Sequence, residues 1–190
     1  MVFIQAVTKV RGRTLFRLFS FFLLITVFYV GISTPLFPAL VIRDTQSNQV
    51  VWSANIQDEA AFGIRWTHSI HRSTIEEQYR IVDGQIILSE MSFHDYGIGM
   101  ENELAPGEKL VLADGRFHIR NMQRSFPALR LFIGQVRANH TLLFAGQDIP
   151  LSLIDNPEEA ITIQVEKRSI LSELGCNQYK YITLNNFIQK

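Results

Sequence analysis

The chain is 190 residues long, 47% hydrophobic and 19% charged, a composition that excludes intrinsic disorder and leaves room for one folded domain with an appendage. Its formal charge is zero, but Lys9, Arg11, Arg13 and Arg17 all precede the first long apolar run and no acidic residue does, so 14 of the 18 basic residues face 18 acidic ones in the remainder. That mildly acidic balance argues against a nucleic-acid partner, which requires a basic face.

Residues 18–32 read LFSFFLLITVFYVGI without a charge, and with Leu15 and Phe16 they reach the length of one membrane-spanning helix. A cleaved signal peptide would carry a shorter apolar core followed by a small-residue site. The exit here, Ser33-Thr34-Pro35-Leu36-Phe37-Pro38, offers none, and no cysteine is placed for lipid attachment. The expectation is an uncleaved signal-anchor over 15–34 in the lipid bilayer, a basic cytoplasmic segment over 1–14, and an extracytoplasmic remainder of the chain. Cys176 is the single cysteine, so no intrachain disulfide can form.

Downstream, residues 39–43 read as a short strand, Ser47-Asn48 as a turn and 50–54 as the hairpin partner. Phe62, Ile64 and Trp66 alternate with Gly63, Arg65 and Thr67, a period of two that predicts a half-buried strand. A polar loop at 68–73 leads to a second alternating run, with Ile75, Glu77, Tyr79 and Ile81 on one face, closed by the hairpin pair Asp83-Gly84. A strand at 85–89 precedes His94-Asp95-Tyr96-Gly97-Ile98-Gly99, an irregular glycine-dependent turn. Pro106-Gly107, Asp114-Gly115, Gly146-Gln147 and Asn156-Pro157 then separate strands predicted at 109–112, 116–119, 129–136, 141–145, 149–153 and 161–166. About ten short strands exceed one open sheet. The predicted fold is therefore all-β, a small antiparallel β-sandwich or partly closed barrel over 39–168, preceded by one transmembrane helix. A helical turn at 170–174 opens a tail, 169–190, whose Tyr179, Tyr181, Ile182, Leu184 and Phe187 offer apolar surface for docking.

The run Trp66-Thr67-His68-Ser69-Ile70-His71-Arg72-Ser73-Thr74-Ile75-Glu76-Glu77-Gln78-Tyr79 resembles a bacterial family known as domain of unknown function 1850 (DUF1850). That family shows an aromatic-x-His-Ser-hydrophobic pattern, then a Glu followed by an aromatic, and later an aromatic-Gly-x-Gly turn. His68, Ser69, Glu77 and Tyr79 fall on the first pattern, and Tyr96, Gly97 and Gly99 on the second. The chain departs from it at Thr74, where proline is frequent, and at Met100-Glu101 after the glycines. The similarity runs from about residue 40 to 153. Members are often encoded beside permeases of TRAP-type (TAXI) transporters, so the resemblance implies an accessory role in transport and a transporter subunit as partner.

Three chemistries compete for this stretch. His68, His71 and Glu77 make a His-His-carboxylate set of the kind zinc accepts, which would support a metal-dependent hydrolase. HxxH outside a helix has no fixed geometry, however, and Ser69 beside His68 cannot share a proton with it along a strand, nor does a Gly-x-Ser-x-Gly elbow support a nucleophile. A structural reading has His68, Ser69 and Glu77 hydrogen-bonded to each other's backbone, with Gly97 and Gly99 supplying positive φ nearby. The same cluster, joined by Arg72 and Met100, can bind a partner loop or an anionic group if it opens at the surface. Asn139-His140-Thr141 reads as a hairpin turn. The sequence thus points to a non-catalytic, membrane-anchored accessory or interaction module with no cofactor; no small-molecule ligand is legible.

Overall fold

The computed structural model describes residues 2–57, 59–68, 72–94, 104–134 and 139–174. Helix α1, Val2–Ser33, contains the apolar span Leu15–Ser33, with a mean hydropathy of 2.2 and none of its residues fully buried among the described residues. At about 1.5 Å per residue its 19 residues extend roughly 28 Å, enough to cross the hydrocarbon of a bilayer. Thr26 within this span, and Thr34 just after it, donate back to the carbonyls of Phe22 and Val30. Pro35, which lacks an N–H, ends the helix.

The strands are β1 (Phe37–Asp44), β2 (Val50–Asn55), β3 (Ala61–Thr67), β4 (Thr74–Val82), β5 (Gln85–Phe93), β6 (Lys109–Ala113), β7 (Arg116–Phe126), β8 (Ala128–Phe132), β9 (Thr141–Phe144), β10 (Gln147–Pro150) and β11 (Ala160–Arg168). They form a four-stranded sheet, β2-β1-β11-β8, and a seven-stranded sheet, β10-β9-β3-β4-β5-β7-β6, with antiparallel pairing throughout. Both sheets keep open edges among the described residues, so the strands form a sandwich and close no barrel.

One core joins the two layers. Leu40 and Ile42 of β1, Ile161 and Ile163 of β11 and Leu129 of β8 contribute from the smaller sheet. The larger sheet contributes Phe62 and Ile64, then Ile75, Tyr79 and Ile81, then Ile86, Leu88 and Phe93, with Ile119, Met122 and Leu142. The smaller sheet is also covered on its other side: Val41 is fully buried opposite Ser53, whose hydroxyl bonds to Glu173 from helical residues 170–174.

Three two-residue hairpins carry positive φ at both central positions, Asp83-Gly84 (50° and 74°), Asp114-Gly115 (52° and 72°) and Ala145-Gly146 (50° and 75°). These are the mirror-image turns whose twist matches antiparallel strands. The predicted strand at 85–89 runs on to Phe93, because a bulge at Ser89 shifts the register against both neighbours and moves the inward set from Ile86 and Leu88 to Met91 and Phe93. Likewise the strand predicted at 116–119 continues to Phe126, past Asn121 at φ 60°. The strand predicted at 149–153 is instead split: β10 stops at Pro150 and Leu151–Leu153 turns as a 3-10 helix, its Leu151 N–H donating to the carbonyl of His140. That predicted at 129–136 ends at Phe132, and Ile133 pairs across the crossover with Glu159.

Candidate functional site

The registers Trp66↔Ile75, Glu76↔Ser92, Phe93↔Phe117 and Arg65↔Thr141 place the end of β3, the start of β4, the end of β5 and the start of β9 at one end of the large sheet. The loop at 68–73 and the connection at 94–108 therefore leave the sheet from neighbouring positions. Arg116 fastens these roots, its Nη2 donating to Ser92 Oγ at 2.9 Å and to the carbonyls of Ser92 and Thr74 at 3.3 Å each.

Glu77 and Tyr79 lie where the alternation puts them, on the inward face of β4 between Ile75 and Ile81. Glu77 stands opposite Ile64 on one side and Met91 on the other, and Tyr79 stacks on Phe62 with ring centroids 5.0 Å apart. The Tyr79 hydroxyl donates to Glu77 Oε2 at 2.7 Å. Burial raises the Glu77 carboxyl above its ordinary value, an effect that the Tyr79 hydrogen bond opposes. The Tyr79 phenol is also raised, by burial first and then by the neighbouring carboxylate, so it remains a donor.

His68 closes the 68–73 loop through its backbone, donating to Ser73 O at 2.9 Å and accepting from Arg72 N at 2.9 Å. Arg72 is exposed at φ 53°. The Trp66 ring lies 6.1 Å from that of His68 and 6.2 Å from that of His140, tilted 31° and 30°, so an indole neighbours two imidazoles. Burial lowers the pKa of His140, which favours the neutral ring, and its Nδ1 is buried without a partner among the described residues. The sequence marked residues 139–141 as a turn, which Asn139 at φ 40° fits, but gave no sign that His140 would stand beside Trp66. Only the register of β9 on β3 brings them together.

Ser69, His71, Tyr96, Gly97, Ile98, Gly99 and Met100, with Cys176 and the tail from 175, lie outside the described residues. The pairing of His68 with His71 as metal ligands is among the readings that fall there. Among the described residues, the donors that gather as a group of three are Asp44, Asp155 and Glu159, unmarked by sequence reasoning.

Fold and helix together define a class of protein, a β-sandwich module carried behind a helix long and apolar enough to span a membrane. More narrowly, a family model described as "Domain of unknown function (DUF1850)" matches residues 62–151, the stretch from β3 through β10 to the 3-10 turn. It supports the resemblance drawn from the motifs around His68 and Tyr96, over a shorter span than residues 40 to 153. Neither a curated protein nor a solved structure matches the chain.

Proposed function

We propose that this chain is a membrane-anchored, extracytoplasmic accessory module of a TRAP-type solute transporter. The observation that carries the anchoring is the span Leu15–Ser33: large apolar side chains along it, among them Phe16, Phe19, Leu24 and Phe28, are exposed, and no surface formed by the described residues covers them. Such a surface is stable in lipid and costly in water. Lys9, Arg11, Arg13 and Arg17 on the amino-terminal side favour a cytoplasmic N-terminus. The transporter itself is inferred from the family resemblance. The interaction surface we assign is the loop of residues 68–73 with the 96–100 turn, whose roots adjoin at one end of the large sheet. Tethering in the membrane plane raises the local concentration of a partner, so a small interface suffices.

A photocrosslinker at position 98 or 100 in intact membranes tests the reading. Capture of a transporter subunit is the expected outcome. Crosslinks confined to the chain itself, with both positions buried, would refute the assignment.

A further inference from the structure

We propose that Asp44, Asp155 and Glu159 form a binding site for a hard divalent cation of the calcium type, tying the β1–β2 hairpin to the connection between β10 and β11. One ligand oxygen from each carboxylate lies within 4.8 Å of the others. The observation that points to a ligand is Asp44: the residue is only 7% exposed, and its Oδ2 is buried with no hydrogen-bond partner among the described residues. Asp155 repeats the pattern, since its Oδ1 accepts from Asn156 N at 2.9 Å while its buried Oδ2 has no partner. Carboxylates that face one another are acceptors only, and such a group needs either a shared proton or a cation between its members. The Ser47 N–H donates to Asp44 Oδ1 at 2.6 Å, so that oxygen is occupied while Oδ2 is not.

The donors are all oxygen, with no imidazole or thiolate, which selects calcium or magnesium over zinc. Ser47, Gln49, Ser152 and Asn156 line the same open groove of about 430 Å³, against about 30 Å³ for a water molecule, so further oxygen ligands and bound waters can complete a shell of six to eight. The ligands come from turns rather than a rigid frame, and that suits the irregular shell of calcium better than the strict octahedron of magnesium.

The test is calorimetric titration of the intact chain in detergent with calcium chloride alone, after chelator treatment. One calcium per chain is expected, with the melting temperature rising on addition and falling with chelator. Asp155→Asn is expected to weaken binding at least tenfold while Glu158→Gln, a neighbouring exposed carboxylate outside the cluster, leaves it unchanged. Asp44→Asn should act like Asp155→Asn, and the latter decides if the former does not fold. No saturable binding at millimolar calcium overturns the proposal, as does equal binding by Asp155→Asn. A melting temperature that responds to acidification and not to calcium would assign the cluster a shared proton instead, and overturn it too.

Discussion

At Glu77 and Tyr79 a carboxyl group is set on an apolar face with one described donor. The native chain holds the Glu77 proton to a higher pH than the unfolded chain does, so stability falls as pH rises from the ordinary carboxyl value through the raised one. Glu77→Gln keeps an acceptor for Tyr79 and removes the charge; its melting temperature at neutral pH should equal or exceed that of the parent, without the fall across that window. Tyr79→Phe removes the donor and should cost about 1–3 kcal/mol while pushing the Glu77 titration higher still. Thermal melts of the three proteins from pH 4 to 8 check this, and a parent whose melting temperature ignores pH there would contradict it. The inward position of both residues was legible because a period of two fixes which side chains share a face. The hydrogen bond from Tyr79 to Glu77 was not read, although the same alternation had set both side chains on one face. Asp44 and Asp155 were less legible still, since they meet only where the chain crosses between sheets.

Elements were legible wherever alternation was unbroken. β3 and β4 appear as read, and so does the hairpin of β1 with β2. β5 and β7 were cut short because Ser89 and Asn121 interrupt the period, and sequence patterning takes an interruption for an end. Ser89 instead anchors its bulge, its hydroxyl donating to Gln78 O at 2.9 Å, and the strand resumes with its other parity inward. The hairpin of β9 and β10 carries a local mismatch. Ala145 takes the left-handed conformation that Asp holds in the two sister turns, and an alanine there costs about 1–2 kcal/mol against glycine. Ala145→Gly should therefore raise the unfolding free energy by about 1 kcal/mol, less the entropy glycine returns to the unfolded chain. Denaturant titration checks the sign, and a clear loss of stability would mean that the Ala145 methyl is held by packing.

For the molecule as a whole, the sandwich and the apolar helix were both written in composition and punctuation, whereas the division of strands between sheets was not. β8 and β11 join β1 in the smaller sheet although long stretches of chain separate them, and that choice is made by which faces bury together. If α1 is an uncleaved anchor, the chain should remain with membranes through alkaline carbonate extraction and keep its amino terminus; release as a mature chain beginning near Ala39 would identify a signal sequence instead.

The place where α1 joins the sandwich has a mechanical consequence. The helix feeds directly into β1, an interior strand held by β2 on one side and, over eight register pairs from Phe37↔Arg168 to Asp44↔Ile161, by β11 on the other. A pull between the bilayer and anything gripping the far end of the domain therefore loads two ladders in shear, so that many hydrogen bonds must fail together. An edge strand in that position would peel one bond at a time. If α1 is held in a bilayer, tension on it would meet two strand ladders rather than one.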